Sequence, residues 1–219
     1  MVAIILAVGI YNFTVSQREA NERAAGAALT ELMMTPPAGT DPAVALNNLA
    51  AQYPGTAAAQ RAQLQAAASL FTEAKYTDAE ALFQKFADAN SGNPLVATAE
   101  LGLGASLEAE GKLDAAATAY EKVATTFSTS PSALPALCGL GRIAEAQGRY
   151  KEAVDRYESV ARFGSAGGTM VQEAAMRAAE LRPKLAAMTP APAPAASTGM
   201  PAFTPAPAAA PATTTPAAK

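Results

Sequence analysis

The chain has 219 residues, a formal net charge of −3 and 50% hydrophobic residues, a composition ordinary for a globular domain with appendages. This slight acidity argues against nucleic acid as a partner, because binding to phosphates needs concentrated lysine and arginine. The chain has no histidine and a single cysteine. Catalytic triads, histidine-based metal sites and internal disulfides are therefore excluded, and no cofactor is expected.

The first segment, residues 1–15, is apolar and carries no charged side chain. As a helix it would span roughly 22 Å at ~1.5 Å per residue, short of the ~30 Å hydrocarbon core of a bilayer. A cleaved signal peptide would need a basic start and a small-x-small site, and a buried helix would need a partner surface. We expect residues 1–16 to be a transmembrane anchor whose first residues lie upstream, with a signal peptide and a core helix as the alternatives.

Residues 17–55 are expected to form two leading helices, a degenerate repeat. Asp41 can cap a helix and Pro42 suits a first helical position, so the second of these helices begins there. The preceding stretch, "VSQREANERAAGAALTELM", would be its partner helix and could continue directly from the apolar start. This segment therefore predicts a helical pair without a clear repeat signature.

Between residues 56 and 165 the sequence repeats with a period of 37 and no gap. Small residues, glycines and aromatics recur in register. The matching positions are Ala67, Gly104 and Gly141; Ala74, Gly111 and Gly148; Ala79, Ala116 and Ala153; and Phe83, Tyr120 and Tyr157. A fixed period between about 20 and 50 residues indicates stacked supersecondary units.

The residue types within one period predict a helix, a tight turn and a second helix. Gly111 and Gly148 would end the first helix, where a left-handed backbone is wanted and glycine adopts it without strain. Small residues such as Gly104 and Ala116 would let the two helices cross closely, while large apolar residues at helical spacing face the interior. One hairpin cannot bury its apolar face alone, so the pattern recurs until stacked neighbours complete the core.

This pattern resembles the tetratricopeptide repeat, whose motif carries a small residue, a glycine, an alanine and an aromatic at fixed positions. Gly141, Gly148, Ala153 and Tyr157 match those positions, and the preceding unit matches equally well. The first unit departs from the motif, since alanines replace both of its glycines. The resemblance covers residues 56–165 and implies an all-α solenoid of three stacked hairpins that binds other proteins.

The links between units, with an apolar N-terminus, are similar to those of the bacterial envelope branch of the family. That branch includes the ancillary subunit of the Sec translocon and the cell-division coordinator that acts with the Tol–Pal system. The resemblance implies a single membrane anchor and repeats that face the periplasm. The orientation depends on a basic leader upstream of the apolar segment, because the nearest cations follow it.

The resemblance also places the inner wall of the solenoid on the first helix of each unit. The inward positions are Arg61, Leu64, Ala68 and Phe71; Thr98, Leu101, Ala105 and Glu108; and Pro135, Cys138, Arg142 and Glu145. The predicted partner-binding groove comprises Arg61, Leu64, Phe71, Leu101, Glu108, Arg142 and Glu145. Some family members hold a carboxylate with lysine and asparagine at two of these positions, and this chain has neither there. An apolar strip with few charges favours an amphipathic or partly unfolded segment as the partner.

The last two segments differ from the repeats. Residues 166–187 predict a more polar capping helix, as the end of a solenoid requires. Residues 188–219 hold half of the 16 prolines and one charge, at Lys219. Because proline fixes φ and alanine and threonine bury little surface, we expect a disordered tail that acts as a spacer. A proline-rich ligand for a partner domain is the alternative.

The carboxylates, Glu108 and Glu145 among them, are spread over helix surfaces without the convergence that acid–base catalysis needs. Cys138 occupies a core-facing position and is expected to be an inert thiol. The leading interpretation is a non-enzymatic adaptor anchored in a bacterial inner membrane, ancillary to translocation or envelope assembly. Its partners would be other proteins and the bilayer, not nucleic acid or a small-molecule substrate. A holdase-like chaperone and a cytoplasmic scaffold are the alternatives.

Overall fold

The computed structural model describes residues 2–163 and 168–188, with side chains from residue 10 onward. Every regular element within these ranges is a helix, which confirms the predicted all-α fold. The helices are α1 (Val2–Met34), α2 (Pro42–Gln52), α3 (Ala57–Thr72), α4 (Tyr76–Ala89), α5 (Val96–Ala109), α6 (Leu113–Thr126), α7 (Ala133–Ala146), α8 (Tyr150–Ala161) and α9 (Gly168–Met188). The expected tail lies outside the described residues, except for Met188.

The helices pack as a series of neighbours. Each helix contacts the next one along the chain, and α3, α5 and α7 also contact one another in turn. The pairs α3–α4, α5–α6 and α7–α8 are therefore three stacked hairpins, as the 37-residue period predicts. Contiguous buried clusters join one hairpin to the next, and α9 packs on α8 as a further first helix.

The N-terminal helix α1 runs from the apolar start into the solenoid without a break. Its side chains from Ile10 to Ala24 are exposed, whereas Ala25 and Leu29 are buried against α2 and α3. The side chain of Asp41 caps α2, accepting a hydrogen bond from the Ala43 N–H at 2.8 Å. The leading pair predicted from the sequence is thus formed by the second half of α1 and by α2.

The structure does not support the expected transmembrane anchor over residues 1–16. No helix in the described ranges has the length and apolar character that crossing a membrane requires. Although α1 is 33 residues long, its apolar segment is followed within one turn by Arg18 and Glu19, and then by Glu22 and Arg23. The charges interrupt the apolar character before it reaches the length of a span.

All three hairpins have the same type of turn between their two helices. The N–H of Gly111 donates to the Glu108 carbonyl at 3.0 Å, and the N–H of Lys112 donates to the Leu107 carbonyl at 2.9 Å. Together these bonds form a Schellman motif, in which one residue must adopt positive φ. That residue is Gly111 at +78° and Gly148 at +72°.

In the first hairpin the positive-φ position is held by Ala74, at φ 59°. Its N–H donates to the Phe71 carbonyl at 3.0 Å, so the motif is kept despite the alanine. We expect Ala74→Gly to raise the free energy of unfolding by about 1 kcal/mol, because the left-handed region strains an L-residue by roughly 1–2 kcal/mol. The larger entropy of glycine in the unfolded chain offsets part of this gain.

Urea denaturation followed by circular dichroism measures the effect. Gly111→Ala and Gly148→Ala are matched controls at the equivalent positions, and each should lower the free energy of unfolding by a similar amount. A decrease in stability for Ala74→Gly would show that its left-handed backbone is not strained.

A second-helix aromatic ring separates each pair of successive first helices. The ring of Tyr120 lies between Gly104 of its own hairpin and Gly139 of the next hairpin. A Cβ atom on Gly104 would come within 2.7 Å of the ring, and one on Gly139 within 2.4 Å. Gly102 makes the same approach to Phe83, at 2.4 Å. The glycines at 102 and 139 are therefore packing positions against an aromatic ring of the preceding hairpin.

Candidate functional site

A pocket of about 350 Å³ opens where the first helices of the second and third hairpins meet α9. We call it the groove pocket. The first helices supply Leu101, Ala105, Pro135, Cys138 and Arg142, whereas α9 supplies Met170, Glu173, Ala174 and Arg177. The rings of Tyr120 and Tyr157 complete its wall.

The helical period explains why these side chains come together. Leu101 and Ala105 are four residues apart on α5 and therefore lie on one face. Cys138 and Arg142 have the same spacing on α7. They lie 37 residues after Leu101 and Ala105 and therefore occupy the same positions in the next repeat. Stacking of the two hairpins places the two faces side by side, and α9 closes the third side.

A charged network bridges the second and third hairpins beside the pocket. Arg142 donates two hydrogen bonds to the Glu108 carboxylate, from Nε at 2.9 Å and from Nη2 at 2.8 Å. The Tyr120 hydroxyl donates a third to Glu108 Oε2, at 2.7 Å. This bidentate geometry is among the stronger forms of ion pair in proteins. Arg142 is therefore engaged within the chain and not available as an unpaired cation for a partner.

Burial and hydrogen bonding shift the pKa values in this network. Burial by itself would raise the pKa of Glu108, but the bonds from Arg142 and Tyr120 outweigh it and hold that pKa below its ordinary 4.5. Burial and the bond to the carboxylate raise the pKa of Tyr120. The network is therefore fully charged at Glu108 and Arg142 near neutral pH.

We expect Glu108→Gln to lower the free energy of unfolding near pH 7 by about 1 kcal/mol, because the bidentate ion pair becomes a weaker amide contact. The stabilisation from Glu108 is complete above its ordinary pKa of 4.5 and is lost as the pH falls through the lower pKa of the folded state. The difference between wild type and variant should therefore shrink in acid.

Urea unfolding at a series of pH values checks this expectation. Glu145→Gln is the matched control. Glu145 occupies the equivalent position one repeat later, and within the described part of the chain its carboxylate accepts a single hydrogen bond, from the Tyr157 hydroxyl at 3.3 Å. This variant should lose less stability near pH 7. A stability difference for Glu108→Gln that persists unchanged at low pH would contradict the role of its charge.

Among the residues that the structure describes, the hydrogen bonds between tyrosine and glutamate lie in the half of the solenoid that holds the groove pocket. In the third hairpin Tyr157 donates to Glu145, and burial together with this glutamate raises the pKa of Tyr157 to about 12. In the first hairpin the equivalent positions are Phe71 and Phe83. The first hairpin thus offers an apolar surface where the others offer hydroxyl and carboxylate groups.

Some of the predicted groove residues line the groove pocket in the structure, and others do not. Leu101 and Arg142 line the groove pocket, and Glu108 lies beside it through its bond to Arg142. Leu64 does not line the groove pocket: only 8% of this residue is exposed, because it packs in the core that joins the first two hairpins.

The remaining predicted positions are Arg61, Phe71 and Glu145, and none of them lines the groove pocket. Arg61 is exposed on α3, and the ring of Phe71 packs against that of Tyr76, with centroids 5.2 Å apart. The contribution of α9 was not foreseen, because α9 does not carry the repeat signature. From its polar residues the sequence predicted only a capping helix there.

The chemistry of the groove pocket suits binding. Apolar side chains dominate its wall, and Glu173 and Arg177 lie on the α9 side, where Arg177 also bonds Glu180 at 3.0 Å. Burial raises the pKa of the Cys138 thiol, so this cysteine stays protonated near neutral pH. Across the described part of the chain, no three potential metal ligands among histidine, cysteine and the acids cluster together.

Stacked helical hairpins with a pocket on the first-helix side define a repeat protein of the tetratricopeptide type. The family model described as a tetratricopeptide repeat-like domain matches residues 1–172. Because the match extends over most of the chain, this protein belongs to that family. Folds of this kind are typically non-enzymatic scaffolds that bind other proteins.

Solved structures support the same fold. A crystal structure of a Podosopora anserina protein with nearly identical TPR-like repeats is 18% identical to this chain, with a TM-score of 0.50. A variant of that protein matches at 18% identity with a TM-score of 0.51. In each case the alignment covers 78% of this chain and 92% of the other. No curated protein showed a significant match.

Proposed function

We propose that this protein is a non-catalytic adaptor that binds a short segment of another protein in the groove pocket. The observation that carries the proposal is the pocket itself, about 350 Å³ in volume and walled mainly by apolar groups. This volume falls at the lower end of the range for ligand sites and suits one or two apolar side chains. Burying one such side chain contributes about 1.5–3 kcal/mol.

The polar groups at the pocket set the orientation of the bound segment. Glu173 and Arg177 on α9 carry opposite charges, so a segment with complementary charges on either side of its apolar anchor would be favoured. Arg142 contributes less to selectivity, since Glu108 already satisfies it. The partner is therefore an extended or amphipathic segment with an apolar anchor.

A substitution that places a charge in the pocket tests this proposal. Ala105→Glu should abolish or strongly weaken binding of peptides selected on an array, measured by fluorescence anisotropy. Ala117→Glu is the matched control, since Ala117 is also half-buried but borders a separate depression between α6 and α8. Equal affinity of the wild type and Ala105→Glu would overturn the pocket as the binding site. Melting curves establish that both variants are folded.

The breadth of binding separates a dedicated adaptor from a holdase-like chaperone. A dedicated adaptor selects a few related peptides and leaves the aggregation of an unfolded test protein unchanged. A holdase binds apolar peptides broadly and suppresses that aggregation. In either case Leu101→Asp should weaken binding, because Leu101 lines the pocket. The charge balance at α9 favours the dedicated adaptor.

We also propose that the solenoid is displayed on the extracytoplasmic side of a bacterial inner membrane, in the service of translocation or envelope assembly. Support comes from the apolar residues 1–15 and from the first part of α1, where Ile10, Tyr11 and Phe13 are at least 64% exposed. Alkaline phosphatase fused after Lys219 in the chromosomal gene should be active. Activity of a cytoplasmic reporter at the same position would refute this location and favour a cytoplasmic scaffold.

A further inference from the structure

We infer that the groove pocket has an occupant within the same chain: the segment around Phe203 docks in it and competes with the partner. This inference rests on the proposed function, since it assigns a regulator to the same pocket. The segment belongs to residues 189–219, which directly follow α9.

The position of α9 makes the segment a close neighbour of the pocket. Helix α9 lines the pocket from Met170 to Arg177 and ends at Met188. The helix rises roughly 17 Å from Arg177 to its end, at ~1.5 Å per residue. The chain from 189 to 203 can span roughly 46 Å at ~3.1 Å per extended residue. Phe203 can therefore reach back to the pocket with slack.

The composition of the segment matches the pocket wall. Phe203 is the single aromatic residue between 189 and 219, in the sequence "GMPAFTPAP", and prolines at 201 and 205 restrict the backbone on either side of it. Proline-restricted segments bind in grooves that present aromatic rings, because little conformational entropy is lost. Tyr120 and Tyr157 are among the residues that line the groove pocket.

Charge also favours this occupant. The segment has no charged side chain before Lys219, so docking would not bury an unpaired ion. Both arginines at the pocket have partners within the chain: Arg142 bonds Glu108, and Arg177 bonds Glu180. An uncharged apolar anchor therefore needs no new ion pair.

Tethering makes even a weak contact effective. A segment joined by a short flexible linker acts at an effective concentration in the millimolar range. With an intrinsic dissociation constant near 1 mM, about −4 kcal/mol, the segment would thus occupy the pocket in half of the molecules or more. The docked segment would raise the apparent dissociation constant of the partner by about two- to tenfold, because the fraction of free pockets falls by the same factor.

Cys138 provides a probe of occupancy. It is the single cysteine of the chain, it is half-buried, and it lines the groove pocket. A docked segment should shield its thiol, so the rate of alkylation by a small reagent such as iodoacetamide reports how often the pocket is open. The full-length chain can be used without modification.

The experiment compares alkylation rates of the full-length wild type and the Phe203→Ala variant. We expect the variant to react about two- to tenfold faster, in line with the predicted occupancy. Phe163→Ala is the matched control, because Phe163 is 45% exposed just after the end of α8 and does not line the pocket. Adding an excess of a synthetic peptide spanning residues 196–210 to the Phe203→Ala variant should restore protection. Equal rates for the wild type and Phe203→Ala would overturn the inference.

Three further outcomes assign the result unambiguously. Protection that depends on protein concentration would place the segment in a second copy of the chain and overturn docking within one chain. If partner peptides protect Cys138 while Phe203→Ala changes nothing, the proposed function stands and this inference fails. If Phe203→Ala opens the pocket but no partner peptide binds, the inference stands and the proposed function fails.

Discussion

Replacing Tyr120 with alanine is expected to lower the free energy of unfolding by about 3–5 kcal/mol, the range for truncating a large buried aromatic. Tyr120 is 1% exposed, and its ring fills the space between the second and third hairpins. Removing it leaves a cavity lined by Gly104 and Gly139, which have no side chains that could fill it. Urea denaturation followed by circular dichroism measures the loss.

Tyr120→Phe separates the ring from its hydroxyl. This variant keeps the packing but loses the 2.7 Å hydrogen bond to Glu108, so it should cost about 1 kcal/mol. If Tyr120→Phe were as destabilising as Tyr120→Ala, the hydroxyl network and not the wedged ring would hold the hairpins together.

The second large effect is expected for Gly141→Leu. A Cβ atom on Gly141 would lie 2.6 Å from the ring of Tyr157, which is itself buried and cannot move aside. Overpacking of this kind costs about 1–3 kcal/mol or more. For a chain of this size the melting temperature should fall by roughly 2–12 °C.

Gly26→Leu is the control for this substitution. Gly26 is also helical, in α1, but nothing lies within 4 Å of the position that its Cβ would occupy. Leucine is a better helix former than glycine, so this variant should be neutral or slightly more stable. An unchanged melting temperature for Gly141→Leu would contradict close packing of glycine against the aromatic ring.

The hairpins could be predicted from the sequence because their determinants are local and recur. A glycine at positive φ, as at Gly111 and Gly148, specifies the turn by itself, and the helical period then fixes which residues face inward. Ala74 shows the limit of this reasoning. Its turn is set by the packing of the first hairpin rather than by the residue, which the sequence alone does not reveal.

The groove pocket could be predicted only in part. The positions on α5 and α7 follow from the repeat, and two of the selected residues, Leu101 and Arg142, line the pocket. Motif positions do not report burial, however, since that depends on neighbours from other hairpins. Leu64 therefore lies in the core, although it occupies the same position in its hairpin as Leu101.

The third wall of the pocket could not be predicted, because Glu173 and Arg177 belong to a helix outside the repeat register. Their place in the same pocket as Arg142 depends on how α9 packs against α8, a tertiary contact without a periodic signal. The interpretation of residues 1–16 as an anchor is not supported by the structure, for a related reason. Apolar composition identified the segment, but α1 continues past it into charged residues and the solenoid.

The aromatic rings of the second helices pack against glycines of the following hairpin, and this contact determines where the chain can be lengthened. Phe83 with Gly102 and Tyr120 with Gly139 form two equivalent junctions, so a duplicated 37-residue module inserted between them would meet a compatible surface on both sides. At α9 the equivalent position holds Met176, which is 64% exposed. Duplication can therefore lengthen the array internally, whereas α9 terminates it.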